Sequence, residues 1–297
     1  MADYTGYPIS FGSDIIKGVK SLSISTELQK VLHEGTGVIE PHGVSTLKAD
    51  QKISISSADI KTAIDTVGLF GLNLATENLN LYAQKLAPGG TYATGSSHVK
   101  FVANKGVAYI ESISANLDQE ASVSIAVIPT TDGTNPPIVP TDSSALPTLT
   151  HDDVRFTLGT AKVGATAIPG LQSITINTGI QAQPVGGDGL PYHTEAYVTK
   201  RVLSITLTTN DVGKAILQDA QGKLGADLVV TFKKCASGAL RLANATEEHI
   251  AVTLKAFQIN NSANELTGPV GSSTIMITPF FDGTNDTIEV DTASAIA

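Results

Sequence analysis

The side chains that could do chemistry are six histidines and one cysteine, and their spacing matches no reactive site. The histidines are His33, His42, His98, His151, His193 and His249. They form neither an HExxH motif nor an i, i+4 pair, the spacings that place two zinc ligands on one helical face. Cys235 has no accompanying His–Asn pattern and no second cysteine to pair with, so we expect a structural thiol. The sequence therefore predicts no metal, no cofactor and no enzymatic activity.

Two glycine-containing motifs could bind ions. The segment "GGDG" at 186–189 resembles a phosphate-binding loop, but "LPYHT" follows it where such a loop would open a helix. The motif "DGTN" occurs at 132 and at 282 and resembles a calcium loop, yet no glutamate completes the ligand spacing. We therefore expect a hairpin tip at 186–189 and hairpin turns at Asp132–Gly133 and Asp282–Gly283.

The composition predicts a globular β-protein that does not grip nucleic acid. Hydrophobic residues make up 41% of the chain and charged residues 16%, and Ser, Thr, Val and Ile are abundant, as they are in strands. Only 19 Lys and Arg stand against 28 Asp and Glu, and sequence-independent DNA binding depends on Lys and Arg neutralising phosphates. Trp is absent and aromatic residues are 5%, which disfavours base- or sugar-stacking surfaces.

The elements that must position any site occur twice. "GVKSLSIST" at 18–26 matches "GLQSITINT" at 170–178, and "ISISSADIKTAI" at 53–64 matches "ITLTTNDVGKAI" at 205–216, both 152 residues apart. Near the ends, "SVSIAVIPTTDGTNPPI" at 122–138 matches "SSTIMITPFFDGTNDTI" at 272–288, 150 residues apart. Such self-similarity indicates a duplicated domain. We predict one copy over residues 1–145 and a second over 146–297, joined by a Pro-, Ser- and Thr-rich segment.

Each copy is predicted to be a mainly β sandwich or barrel with one flanking helix. The pattern predicts a first strand at 21–25 or 173–177, a glycine-containing excursion, and a strand ending near 56 or 208. A helix follows at 58–67 or 210–219, and further strands are predicted at 99–104, 107–116, 121–129, 226–233, 249–259 and 272–281. Each helix begins with a hydroxyl and a carboxylate suited to capping, Ser56 with Asp59 and Thr208 with Asp211.

This order of elements resembles the tail tube domain of long-tailed bacteriophages and type VI secretion tubes. The resemblance rests on "GVKSLSISTELQKVLHEGTGVIEPHGVSTLKADQKISISSADIKTAIDTVG" at 18–68 and on its second copy. It implies a structural virion protein, a major tail tube subunit. In tubes of this family, six tube domains form each ring. With two domains in each chain, three chains complete the ring, and stacked rings form a channel for DNA.

The resemblance also implies partners and contacts. These are further copies of the chain, a tape measure protein inside the tube, and terminator and distal-tail proteins at its ends. DNA passes without specific binding, and the tube assembles in the bacterial cytoplasm without a membrane. The excursions are expected to contact a neighbouring subunit or ring through His33, Glu34, Gly35, Gly37, Ile39, Pro41, Val185, Gly187, Asp188, Gly189, Leu190 and Tyr192. Because the net charge is −9, we expect a negative channel wall that repels DNA phosphates.

The sequence leaves three other functions open. A tail-completion, distal-tail or capsid decoration protein would form a terminal ring or coat instead of a tube. A two-domain β-sandwich binding module or adhesin is disfavoured by the low aromatic content and by the absence of a signal-peptide pattern. An enzyme is disfavoured because no acid–base or metal set converges in the sequence.

Overall fold

The computed structural model describes residues 4–33, 40, 43–87, 89, 91–149, 155–186, 189–211, 227–235, 241–265, 271–281, 283–284 and 286–296, with backbone only for 260–265. Among these residues the chain is mainly β, as the sequence predicts. None of the described helical residues forms a segment long and apolar enough to span a bilayer.

The described elements comprise twenty-two strands and one helix. Those of the first half are β1 (Tyr4–Gly6), β2 (Ile9–Phe11), β3 (Asp14–Ile16), β4 (Val19–His33), β5 (Gly43–Ser57), α1 (Ile60–Val67), β6 (Leu72–Asn73), β7 (Leu79–Lys85), β8 (His98–Ala103), β9 (Gly106–Asn116), β10 (Ser122–Pro129) and β11 (Val139–Ser144). Those of the second half are β12 (Phe156–Val163), β13 (Thr166–Ala167), β14 (Leu171–Asn177), β15 (Gln181–Gly186), β16 (His193–Lys200), β17 (Ser204–Thr209), β18 (Leu228–Lys234), β19 (His249–Leu254), β20 (Phe257–Glu265), β21 (Ser272–Pro279) and β22 (Glu289–Ser294).

A nine-stranded antiparallel sheet joins the two halves of the chain. Its strands lie in the order β20-β21-β17-β14-β9-β10-β5-β4, with the short β6 paired beside β9. A six-stranded sheet has the order β11-β8-β7-β2-β3 with β1 beside β7, and a five-stranded sheet has the order β13-β12-β18-β19-β22. The hairpin β15–β16 forms a separate two-stranded sheet. Each of these sheets ends in edge strands, so none of the sheets formed by the described residues closes into a barrel.

The strands form because their residues alternate in polarity. In β5, Ile53 and Ile55 are buried while Ser54 and Ser56 are partly exposed. Strand residues point alternately to the two faces of a sheet, so this sequence puts isoleucine on one face and serine on the other. The buried face packs in one continuous core with the six- and five-stranded sheets and α1. The two halves therefore share a core.

Strand order corresponds between the halves. In the nine-stranded sheet, β4-β5-β10-β9 of the first half corresponds to β14-β17-β21-β20 of the second. In the other two sheets, β11-β8-β7-β2-β3 corresponds to β22-β19-β18-β12-β13. The predicted boundary near residue 145 lies after β11, yet β9 and β14 pair across it. The halves are thus continuous through one sheet.

Some predicted elements differ from those observed. The single strand predicted at 249–259 is two strands, β19 in the five-stranded sheet and β20 in the nine-stranded sheet, because the chain bends at 255–256 and changes layer. Most of the helix predicted at 210–219 lies outside the described residues. Strands β7, β11, β12 and β22 and the short β1–β3 were not predicted.

Candidate assembly surface

The nine-stranded sheet ends in two long edge strands, β4 with fifteen residues and β20 with nine. Edge strands expose backbone N–H and C=O groups that can pair with another chain. Soluble proteins usually shorten or cover such edges. Long edges at both ends of one sheet make it suited to head-to-tail pairing.

One such pairing already exists inside the chain. Strand β14, the first long strand of the second half, pairs antiparallel with β9 of the first half, with Asn177 opposite Ser112 and Ser173 opposite Asn116. Because β4 corresponds to β14 and β20 corresponds to β9, the free edges are the counterparts of the two strands that pair here. The β9–β14 junction therefore shows how strands of these two kinds pair within the chain.

The hairpin β15–β16, which we term the arm, continues β14 and β17 but bends away from them. Gly179 lies at the bend with φ 57°, and Thr178 Oγ1 donates to the Ile110 carbonyl at 2.5 Å. Apolar residues of the arm and its base cover one end of β9 and β10 in the first half. The residues in this cluster are Val107, Tyr109, Ala126, Ile128, Ile180, Ala182, Ala196 and Val198.

The tip of the arm is held on β5 by His193. The buried His193 ring bonds through Nε2 to the Asp50 carboxylate, which also pairs with Lys48 Nζ at 2.9 Å. Backbone bonds flank this contact: Ala49 N donates to the Pro191 carbonyl at 2.7 Å, and Thr131 N donates to the His193 carbonyl at 2.8 Å. The arm of the second half is thus bonded to the first half.

Asp50 is charged at neutral pH. Its partial burial would raise the pKa of the carboxyl, but hydrogen bonds and charge from Lys48 and His193 outweigh this and lower the pKa below its usual value. A group whose pKa is lowered by folding stabilises the fold above its ordinary pKa, and that contribution is lost as pH falls through the lowered value.

Replacing Asp50 with alanine is expected to loosen the arm. The buried His193 Nε2 would lose its partner, which costs about 1–3 kcal/mol. We expect hydrogen exchange of the β15–β16 amides to become roughly tenfold to a hundredfold faster. Lys48→Met, which keeps the His193–Asp50 bond, should have a smaller effect. The difference between wild type and Asp50→Ala should shrink as pH falls through the lowered pKa of the Asp50 carboxyl. Equal exchange at pH 7 would contradict the role of this contact.

The corresponding hairpin of the first half, β4–β5, stays part of the nine-stranded sheet and carries exposed apolar residues. Its two strands stay paired from Val19–Ser57 to His33–Gly43. Leucine and valine side chains near its far end face solvent: Leu28, Val31, Leu32, Val44 and Leu47. Exposed apolar residues grouped on one element of a sheet protein indicate an interaction surface.

The other end of the nine-stranded sheet also exposes apolar residues. Phe280 and Phe281 follow β21, and Met276 lies within it. A depression of about 900 Å³ lies beside them, bounded on its far side by Phe70, whose ring carries the Arg201 guanidinium 4.5 Å from its centroid. The residues at positions 130 and 131 that correspond to Phe280 and Phe281 are threonines, and they are buried. The end that the arm covers in the first half is thus exposed in the second.

The described members of the set predicted to contact other subunits lie on the two hairpins. His33 ends β4 with its Nε2 2.6 Å from Ser45 Oγ, and Val185 is exposed on β15. Gly189, with φ 71°, and Leu190 lie in the arm's tip, and Tyr192 precedes His193. The remaining members of the set lie outside the described residues: Glu34, Gly35, Gly37, Ile39, Pro41, Gly187 and Asp188.

Asp59 lies at the N-cap of α1, but the accompanying hydroxyl is one residue later than predicted. The Asp59 carboxylate accepts from Thr62 N at 3.2 Å and from Lys17 N at 3.1 Å, and its burial raises its pKa despite these bonds. Ser57, not Ser56, accepts from Asp59 N at 3.0 Å. Ser56 cannot, because it points to the opposite face of β5, where it lies across from Ser124.

The second half repeats this arrangement. Thr209 Oγ1 accepts from Asp211 N at 3.1 Å and donates to the Pro169 carbonyl at 2.6 Å, as Ser57 Oγ donates to the Lys17 carbonyl at 2.5 Å. Thr208, predicted for this role, lies instead on the other face of β17 across from Thr274. The helix that Asp211 was predicted to cap lies outside the described residues.

The "DGTN" motifs are turns, but they do not close hairpins. Asp132 Oδ1 accepts from Thr134 N and Asn135 N at 2.8 and 2.7 Å, and bonds from Asn135 and Thr134 lower its pKa to about 2. The strand before this turn, β10, belongs to the nine-stranded sheet, and the strand after it, β11, pairs with β8 in another sheet. The turn at Gly283, φ 94°, likewise connects β21 to β22 in a different sheet, and Asp282 lies outside the described residues.

No sequence motif marks the bond between His193 and Asp50 or the bend at Gly179. His193 and Asp50 are 143 residues apart, and the position that corresponds to His193 in the first half, 152 residues earlier, is Pro41. Gly179 has Glu27 as its counterpart. A glycine next to the matched "SITINT" segment and absent from the other copy was the available signal for a bend.

No reactive centre is evident in the part of the chain that the structure describes. There, no three His, Cys, Asp or Glu side chains lie close enough to hold a metal ion. Cys235 is partly exposed, and its Sγ lies 3.9 Å from Thr157 Oγ1. Among the described residues, β4 and β20 each have a strand pairing on one side, and exposed apolar residues lie on the β4–β5 hairpin and after β21. Comparison of the sequence with models of known protein families and with curated proteins finds no match for this chain.

Proposed function

We propose that this chain is a tail tube subunit: a structural, non-enzymatic protein whose copies join head to tail into rings of three, and whose rings stack into a tube. The observation that carries the proposal is the order β4-β5-β10-β9-β14-β17-β21-β20. It contains two corresponding four-strand units joined through the β9–β14 pair, and it leaves the counterparts of that pair free at its ends.

Repeating the internal junction between chains defines the contact. Strand β4 of one chain pairs antiparallel with β20 of the next, as β14 pairs with β9. If the junctions together turn the sheet through a full circle with no shift along the axis, the nine-stranded sheets close into a ring and their β4 and β20 edges are paired. Six units in a closed ring, as the resemblance to tail tube domains implies, require three chains.

The apolar surfaces support the same arrangement. In the first half the arm covers Ala126 and Ile128 at the end of β10, and the positions that correspond to them in the second half are Met276 and Thr278. Met276 is exposed. In a ring the β4–β5 hairpin of the neighbouring chain reaches this end of the sheet, and Leu28 and Val44 correspond by position to Ile180 and Ala196 of the arm. Contact there would bury apolar area that the single chain exposes.

A tube of such rings conducts DNA and does not process it. The proposed partners are further copies of the chain, a tape measure protein within the tube, and terminator or distal-tail proteins at its ends. The proposed location is the virion tail, after assembly in the bacterial cytoplasm. The hairpin residues from His33 to Pro41 and from Val185 to Tyr192 would contribute contacts between subunits or between rings.

Native mass spectrometry and electron microscopy of the purified chain test the proposal. We expect species of three chains and, at higher concentration, uniform tubes of stacked rings. Discrete rings or particles that never extend would instead favour a tail-completion, distal-tail or decoration protein. A chain that stays monomeric over a wide concentration range would overturn the ring and favour a binding module.

A further inference from the structure

The face of the nine-stranded sheet turned away from the core, which we term the open face, carries rows of small hydroxyl and amide side chains. Residues directly opposite on neighbouring strands share a face. One such row crosses six strands through Ser21, Ser56, Ser124, Ser112, Asn177 and Ser204. All of these side chains are partly or fully exposed.

A second row runs parallel to the first. It crosses from β10 to β17 through Ser122, Ser114, Thr175 and Thr206. Ser114 and Ser122 bond to each other through their hydroxyls at 3.1 Å. On the opposite face the same strands carry the buried Ile113, Ile176 and Ile205. The exposed hydroxyl side chains therefore alternate with buried isoleucines along these strands.

Neither row contains a Lys, Arg, Asp or Glu. This is unusual for an exposed sheet face, where charged residues are common and keep the surface soluble. Beside the first row, Glu111 accepts from Ser124 Oγ at 3.2 Å, and Lys52 Nζ pairs with the same carboxylate at 3.2 Å. The two opposite charges neutralise each other. The central part of the open face thus presents hydroxyls and no net charge.

In the ring of the proposed function, on which this inference rests, the open face lines the channel. The six- and five-stranded sheets and α1 all pack on the other face. Those extra layers need the larger circumference, so they lie outside. The arm covers the end of the open face near Val107 and Ala126 and leaves the serine and threonine rows uncovered.

We propose that the hydroxyl rows form an uncharged, hydrated channel wall that neither holds nor repels DNA. Holding DNA requires Lys and Arg to neutralise phosphates and release counterions, and repelling it requires exposed acids. Hydroxyl groups do neither, and they bind a layer of water through which a hydrated polyanion can slide. This wall replaces the negative one expected from the net charge of −9.

Cysteine accessibility tests which face lines the channel. In a Cys235→Ser background, Ser124→Cys reports the open face and Thr141→Cys, exposed on β11, reports the outer layer. In assembled tubes a small maleimide should modify both, while a maleimide carrying a bulky polymer should modify Thr141→Cys alone. Before assembly, the Ser124→Cys and Thr141→Cys proteins should each react with either maleimide. Equal reaction with the bulky reagent in tubes would overturn the placement of the rows.

DNA retention tests the charge of the wall. Short fluorescent DNA duplexes are mixed with tubes at low salt and sedimented. Wild-type tubes should retain DNA only at the background level of a tube-free sample, and tubes of Ser124→Lys/Ser112→Lys should retain at least roughly tenfold more than that background, with release as salt rises. Ser56→Lys/Ser204→Lys is the second pair if the first fails to assemble, and Thr141→Lys on the outer sheet is the matched control.

The outcomes separate this inference from the function on which it rests. If no tubes form from the wild type, the proposed function fails. If tubes form and the wild type retains DNA in a salt-dependent way, the neutral wall is wrong. It is also wrong if the lysine variants form tubes that retain no more DNA than Thr141→Lys does.

Discussion

Protein carrying Ser25→Cys and Ala263→Cys is expected to cross-link into a covalent species of three chains and no larger. The positions follow from the internal junction, where Asn177 lies opposite Ser112. Ser25 precedes Asn177 by 152 residues. Ala263 corresponds to Ser112 because the two residues lie opposite Thr274 and Ser124, which are 150 residues apart.

The effect should be close to all or none. Directly opposite residues in an antiparallel pair have Cβ atoms about 4.5–5.5 Å apart, within reach of a disulfide or a short bismaleimide. Each chain offers one site of each kind, so a closed ring of three leaves no site for a fourth chain. An open filament would instead give a ladder of ever longer products on a denaturing gel.

Three controls make the result specific. The double variant and all controls carry Cys235→Ser, which removes the native thiol. Ser25→Cys alone and Ala263→Cys alone should give no product of three chains. Ser25→Cys with Gln258→Cys moves the second thiol five residues along β20, roughly 16 Å, and should not cross-link. If this off-register pair reacts as well as the matched one, the β4–β20 register is wrong. If no pair reacts, the edges do not meet.

The strands and the first helix were predictable because their signals are local. Alternation of isoleucine and serine fixes which face of β5 is buried, and this alternation is visible in the sequence. The same is true of α1, whose buried Ile60, Ala63, Ile64 and Val67 follow the helical period. The repeat at 152 residues then carried the β4 and β5 predictions over to β14 and β17.

The assignment of strands to layers was not predictable in this way. An Asp-Gly turn is stabilised by its own bonds, here from Thr134 N and Asn135 N to Asp132, whether the next strand turns back or crosses to another sheet. Packing of distant segments decides between these outcomes. Similarly, the bend at 255–256 that separates β19 from β20 interrupts an apolar run that reads as one strand.

The candidate site was predictable only in outline. The glycine-containing excursions are the two hairpins, but the contacts that hold the arm are long-range. The bond from His193 to Asp50 spans 143 residues, and no local pattern links them. The cap hydroxyl was misplaced by one residue because the three-residue spacing to Asp59 favoured Ser56. The alternation of β5 instead puts Ser57 on the buried face, where its hydroxyl accepts from Asp59 N.

The Gly179→Ala variant is expected to destabilise the protein and release the arm. Gly179 has φ 57°, a conformation that costs an L-residue about 1–2 kcal/mol. A Cβ there would lie 2.0 Å from the Val202 carbonyl oxygen, so the backbone must also shift. Together we expect a loss of about 2–4 kcal/mol in the free energy of unfolding, measured by chemical denaturation.

Gly189→Ala is the matched control. Gly189 also has a positive φ, 71°, but an added Cβ there meets no described atom within 4 Å. It should cost only the conformational part, about 1–2 kcal/mol. Hydrogen exchange of the β15–β16 amides should accelerate strongly in Gly179→Ala and little in Gly189→Ala. Equal effects of the two variants would mean that the close approach of Gly179 to Val202 does not hold the bend.

The bend at Gly179 distinguishes the hairpin of the second half from that of the first. The counterpart of Gly179 is Glu27, which lies opposite Asp50 in the paired strands β4 and β5. The glycine lets the second-half hairpin leave the plane of the nine-stranded sheet at Thr178 and fold across β9, which at Val107 and Ala108 is paired with β6. The first-half hairpin has no glycine at this position and stays paired to its far end, where its apolar residues are exposed. A glycine thus accompanies the hairpin that joins the halves of the chain, and a glutamate stands at the same position in the hairpin that stays exposed.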